Sequence, residues 1–192
     1  MARNGRGNDK KSEVANVESN QTARAVVLAA HGAPATDYPP LRVGFLMMLE
    51  FAKPVERIGF LRAWRDRLDK EMRTWRRTQE NDPYKVAVDD LAAQLAARLD
   101  CRVIVGYNEF CAPTIDEAID RVIADGAQRV IVLTTMLVRG NSHTELEIQQ
   151  TVVHARERHP KADIRYAWPF EQARLVSLFA DQVNSHLETE PQ

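Results

Sequence analysis

The chain is short of cysteine, has no excess of either charge and contains no long apolar run, and each shortage removes a class of protein. Its two cysteines, Cys101 and Cys111, are too few for a disulfide framework, and their spacing suits neither a zinc knuckle nor a redox pair. Basic and acidic residues number 26 and 27, a net charge of -1. The global basic field that nucleic-acid binding needs is therefore missing, and no motif of that kind occurs. No stretch approaches the roughly 20 apolar residues that span a bilayer. The first residues lack the hydrophobic centre of a signal peptide, and Asp9, Glu13 and Glu18 argue against a transit peptide. The expected setting is the cytoplasm, with neither membrane nor nucleic acid as partner.

What is present is an ordinary globular balance, 44% hydrophobic and 28% charged, over 192 residues, enough for one domain with a real core. Residues 1–22 are polar and without periodicity and are expected to form a disordered tail before a domain over 23–188. Four short runs, at 25–30, 101–107, 129–135 and 163–168, are near-continuously apolar, as strands covered on both faces are. Helical patterns separate them. Val88, Leu91, Leu95 and Leu99 recur at helical steps, and Thr114 with Glu117 forms a capping box before a helix that Gly126 closes. A third helix is expected from about Thr144 to Arg158, stopped at His159-Pro160. A last one follows Pro169 with Leu175, Phe179 and Val183 on one face. Strand alternating with helix predicts an α/β fold: a four-stranded parallel sheet, helices on both faces, right-handed crossovers, and no second copy of the unit.

About fifty residues, 33–83, interrupt this alternation. An apolar stretch ends at Pro54, and a second helix then aligns Ile58, Leu61, Trp64, Leu68, Met72 and Trp75. Arg57, Arg62, Arg65, Arg67, Arg73, Arg76 and Arg77 fall opposite, reading as a largely solvated face. The segment is expected to be a helical hairpin inserted at the C-terminal edge of the sheet, directly after His31.

Ligands of open α/β sheets bind beyond the carboxyl ends of the strands, where strand order reverses. His31 follows strand one, and His143 opens the helix after strand three. In a flavodoxin-like order, 2-1-3-4, strands one and three are neighbours about 4.8 Å apart, so the two imidazoles can share one ion. Glu147 lies one turn beyond His143 on the same helix face, placed to ligate or to take protons. The helix start disfavours a cationic His143 and keeps it a metal ligand. His154, His159, His186 and Glu145 are read as ordinary helix and surface residues.

Here the residues resemble a known family. "VVLAAHGAP", "GYNEFCAPTIDEAI", "GAQRVIVLTTMLVRGNSHTELEI" and "ERHPKADIRYAWPF" are similar, in order and spacing, to the landmarks of the class II tetrapyrrole chelatases, above all the small sirohydrochlorin chelatases that insert cobalt or iron. The resemblance covers about residues 24–185 outside the insertion. It implies a half-chelatase domain in which His31 and His143 hold a divalent metal (Co²⁺, Fe²⁺ or Ni²⁺, a substrate) and accept pyrrole protons. Glu147 then handles protons, and Glu109 stands near the site. It further implies a tetrapyrrole substrate, no organic cofactor, and a homodimer with Trp64, Leu68 and Trp75 at or near the contact. Two departures, Ala33-Pro34 where the small chelatases carry Ser and the longer insertion, resemble ferrochelatase. Protoporphyrin therefore stays open beside sirohydrochlorin, as do a non-catalytic metal or tetrapyrrole carrier and an assembly role for the hairpin. A histidine phosphatase is rejected, because Ala30 stands where its phosphate-binding Arg is needed.

Overall fold

The structure, a computed structural model, describes residues 24–51 and 58–187. The expected tail at 1–22, Pro54 and Arg57 lie outside the described residues. Four parallel strands form one sheet: β1 (Arg24–Ala30), β2 (Arg102–Tyr107), β3 (Arg129–Thr134) and β4 (Asp163–Tyr166), in the order β2-β1-β3-β4. β1 lies inside the sheet and is apolar apart from Arg24, the one of its seven residues that is exposed. The register sets Leu28 between Val105 and Leu133, so strand ends, and the loops that leave them, are level.

Side-chain alternation divides the core into two layers. Ala25, Val27 and Ala29 face helices α4 (Ile115–Ala124) and α5 (Ile148–Arg158), with Ile119, Val122, Val152 and Ala155 buried against them. Leu28 and Ala30 face α3 (Pro83–Leu99) on the other side. Here the residues toward the sheet differ from those expected. Val88 and Ala92 are buried, whereas Leu91 and Leu99 stand exposed. The small Ala92 lets the helix approach β2 closely. Asp82 caps α3 by accepting from the Lys85 N–H, with Pro83 in the first turn. Thr114 and Glu117 make the reciprocal capping box that opens α4.

Between β1 and α3 lie two further helices, α1 (Pro40–Phe51) and α2 (Gly59–Arg73), which make a hairpin with its own small core of Tyr38, Leu46, Leu49, Leu68 and Met72. Leu68 is therefore spent inside the hairpin. Trp75 donates to Asp37 at 2.9 Å and packs edge-on to Tyr38, so of the three hairpin residues expected at a contact Trp64 alone is exposed. The arginine face also differs. Arg73 and Arg77 turn inward, away from solvent, for a reason that belongs to the site.

The last helix, α6 (Gln172–Leu187), departs most from expectation. None of its residues is buried, and Phe179 and Val183 are more than half exposed.

Candidate metal centre

Two loops meet because the β1–β2 ladder runs one step past the sheet. The Asn108 N–H donates to the Ala30 carbonyl and the Glu109 N–H to the His31 carbonyl, both at 2.8 Å. That pairing sets Glu109 alongside His31. It also needs glycine at position 32, where φ is +93° and a Cβ would stand 2.0 Å from the Glu109 carbonyl oxygen. From the other side of β1, the loop after β3 delivers His143 at the start of a π-helical turn, His143–Glu147, that runs directly into α5. The expected α-helix near Thr144 thus begins with a wider turn, a feature frequent at functional sites.

The result brings His31, Glu109 and His143 together, with one donor atom from each lying within 4.8 Å of the others. His31 Nε2 is 3.8 Å from Glu109 Oε2, and His143 Nε2 is 3.9 Å from Glu109 Oε1. The imidazoles stand edge to face, their centroids 4.9 Å apart. These spacings are too long for hydrogen bonds. Donors 2.0–2.2 Å from one tetrahedral ion stand about 3.4 Å apart, so a contraction of roughly an ångström would close the set on a metal.

The outer nitrogens fix which inner ones carry lone pairs. His31 Nδ1 lies 2.9 Å from the Gly32 carbonyl, which only accepts, so Nδ1 is the protonated nitrogen and Nε2 is free to ligate. His143 Nδ1 lies 2.9 Å from Glu147 Oε2, with the same consequence for its Nε2. Glu147 accepts at the same oxygen from the Asn108 amide, also at 2.9 Å. Burial of the Glu147 carboxyl works against its ionisation, but the hydrogen bonds from Asn108 and His143 outweigh that and hold its pKa below the ordinary value. Glu147 therefore stands behind His143, outside the donor triad, while Glu109 lies within it. The four residues expected at the site converge.

Three residues that sequence patterns did not single out complete the arrangement. Asn108 donates to Glu147 and lies beside His143, and its position just before Glu109 was the available signal. The others are the two inward arginines. Arg77 donates to the carbonyls of Ala33 and Phe110 and pairs with buried Asp82. Arg73 donates to the carbonyls of Asn108 and Cys111. The end of the hairpin and the segment just after it thus satisfy four backbone acceptors in the two loops that carry His31 and Glu109. Cys111 is buried among them, and burial pushes its thiol pKa upward, which suits an inert packing role.

Strand order and site together define a class: a flavodoxin-like α/β protein whose central strand ends gather two imidazoles and a carboxylate. Residues 76–186, more than half of the chain, match the CbiX family, and the chain belongs to it. Among curated proteins, a sirohydrochlorin ferrochelatase of Priestia megaterium is 26% identical over 81 residues, which are 42% of this chain and 30% of that protein. A sirohydrochlorin cobaltochelatase of Methanococcus aeolicus is 44% identical over 48 residues, 25% of this chain and 33% of that one. The chain spans about a third of the length of these relatives in the matched regions. A solved structure of a cobalamin (vitamin B12) biosynthesis CbiX protein from Marinobacter aquaeolei VT8 superposes with a TM-score of 0.52 at 17% identity. It covers 86% of this chain and 98% of its own, which shows the shared fold.

Proposed function

We propose that this chain inserts a divalent metal ion, Co²⁺ or Fe²⁺, into sirohydrochlorin or a closely related tetrapyrrole, the ion being a substrate and not a resident cofactor. The observation that carries the reading is the triad of His31, Glu109 and His143, with both imidazole Nε2 atoms aimed at one carboxylate at the open edge of the sheet. Two neutral imidazoles and a carboxylate suit these borderline ions and hold them less tightly than thiolates would, so the ion can be passed on. Insertion forms metal–nitrogen bonds, releases the ion from the protein donors and sets free two pyrrole protons. Glu109 and the vacated imidazoles are the nearest acceptors. Glu147, behind His143, provides an outward step for a proton from the imidazole.

The reading includes the cytoplasm as the site of action and two copies of the chain enclosing one tetrapyrrole. No helix among the described residues is long and apolar enough to cross a membrane. The test is anaerobic incubation with sirohydrochlorin and, separately, protoporphyrin, each with Co²⁺ and Fe²⁺, followed by absorbance. Catalysed insertion into sirohydrochlorin is expected. Insertion into protoporphyrin alone would reassign the substrate, and saturable metal binding without any insertion would make the protein a carrier.

A further inference from the structure

The two imidazoles of the metal centre are held unequally. His143 donates from Nδ1 to the Glu147 carboxylate, one turn further along the chain, and its side chain is 20% exposed. The His31 side chain is 39% exposed. Its one hydrogen bond among the described residues is donated to the carbonyl of the next residue, Gly32. A single bond within one loop fixes an atom of the ring but not its plane. Holding Nε2 toward Glu109 therefore needs a second support.

Phe110 stands where that support is needed. Its ring centroid lies 6.1 Å from that of His31, with the planes tilted by 40°, within the range in which aromatic pairs attract. The ring is itself anchored, because it packs against both the core layer under α3 and the separate core of the hairpin. Its backbone is unusual. Phe110 has a φ of +61°, and across it the Cys111 N–H donates to the Glu109 carbonyl at 2.6 Å. A hydrogen bond between residues two apart, with positive φ at the centre, is the pattern of the rare and strained form of the γ-turn. Glycine or asparagine suits such a position, and a bulky side chain there is an outlier. The turn is clamped from outside. Arg77 donates to the Phe110 carbonyl at 2.6 Å, and Arg73 to those of Asn108 and Cys111, each at 3.1 Å. Strain of this kind persists only where the surroundings over-determine it, and it gathers at functional sites.

We infer that Phe110 is a positioning residue for His31: the strained turn presents its ring to the imidazole and so holds His31 Nε2 toward Glu109 and His143. The choice of residue separates this role from ordinary packing. Glycine would make the turn with less strain if the only task were to place Glu109, so the ring is what the strain secures. The same turn carries Glu109. One backbone conformation thus sets the carboxylate directly and, through the ring, the imidazole that faces it. Phe110 acts in this role through His31 alone. The inference rests on the reading of His31 as a metal ligand, but the bracing itself is measurable without metal.

Two readouts are taken on the whole chain: the ring nitrogen signals of His31 and His143 by NMR without metal, where both rings are neutral, and Co²⁺ titration. In wild type, nuclear Overhauser contacts should join the Phe110 and His31 rings. The His31 nitrogens should report one tautomer, protonated at Nδ1. Phe110→Gly relieves the turn and removes the ring. It should move the His31 nitrogens toward an average of both tautomers, leave those of His143 unchanged and weaken Co²⁺ binding at least tenfold. Phe110→Tyr keeps the ring and should restore both wild-type readings. Circular dichroism checks that each variant is folded. Unchanged His31 signals and Co²⁺ affinity in a folded Phe110→Gly would overturn the inference. An equal disturbance of His143, a Phe110→Tyr no better than Phe110→Gly, or wild-type rings without mutual contacts would do the same. The wild-type contacts decide the matter even where Phe110→Gly does not fold. No Co²⁺ binding by wild type, with His31 still held in one tautomer by Phe110, would instead remove the metal reading and leave the brace standing.

Discussion

Gly32 and Glu109 meet backbone to backbone: a Cβ on the glycine would lie 2.0 Å from the glutamate carbonyl oxygen, and the glycine φ of +93° is one that side chains disfavour. The residue between His31 and the rest of its loop therefore fixes how close His31 can come to Glu109. Gly32→Ala should cost about 1 to 3 kcal/mol in strain and weaken Co²⁺ binding at least tenfold. Denaturant unfolding and metal titration check both. Unchanged metal affinity in the folded variant would show that the close approach does not set the donor spacing.

Replacing either imidazole tests the triad directly. His31→Ala and His143→Ala should each abolish insertion while changing stability by no more than about 1 kcal/mol, since both lie past strand ends and bury little apolar surface. Near-normal insertion by a folded His143→Ala would rule out the proposed site.

The residues behind His143 should separate binding from proton handling. Glu147→Gln keeps shape and loses charge, and is expected to slow turnover by tenfold or more with tetrapyrrole affinity little changed. Asn108→Ala leaves the acid in place but frees its orientation and that of His143, so metal affinity should fall by about 10- to 100-fold. The two variants are compared by metal titration and by single-turnover absorbance; identical profiles would deny them distinct roles.

Arg77, in the segment that joins the hairpin to α3, should be a costly position to replace. It pairs with Asp82, whose side chain is 1% exposed, so Arg77→Met strands a buried carboxylate and frees the Ala33 and Phe110 carbonyls. A loss of about 3 to 5 kcal/mol is expected in urea unfolding. A loss below 1 kcal/mol would mean that water replaces the guanidinium without penalty.

On the far side of the sheet, Asp120 accepts from His159 at 2.6 Å and from Arg158 at 3.0 Å. Partial burial opposes its ionisation, but these partners prevail and depress its pKa. A depressed folded-state pKa gives stability that is complete above the unfolded value and disappears as pH falls through the folded one. The side chain is half exposed, so solvent screening limits the effect to about 0.5 kcal/mol. Asp120→Asn should be less stable than wild type by that amount at pH 6, with the gap closing below about pH 4. A gap that persists in acid would assign the cost to packing.

Local patterns made the sheet and most of the site legible before any coordinates. Near-continuous apolar runs marked the four strands, Thr114 and Glu117 marked a helix start, and the expected order of strands one and three brought His31 to His143. Contacts between distant segments were not legible. Arg73 occupies a helix-face position that looks solvated, and Arg77 lies beyond the end of α2, in a segment the expected helix included; only the tertiary approach of the loop at 108–111 turns the two inward. Leu91 and Ala92 exchanged roles because the sheet admits a small residue where periodicity favours a large one. For α6 the periodicity was correct, yet none of its residues is buried.

The two arginines alter how the inserted hairpin must be regarded in engineering. By donating to the carbonyls of Ala33, Asn108, Phe110 and Cys111, the hairpin's last residue and the segment just after it supply the loops with hydrogen-bond partners that they do not furnish themselves. Excising residues 40–73 to obtain a minimal domain would also remove Arg73 and the helix that carries Arg77 into place. A shortened version would then need new donors before its histidines could hold their spacing. Loop grafting onto this protein should accordingly move the hairpin, the segment that carries Arg77 and the segment at 108–111 together, as a single unit.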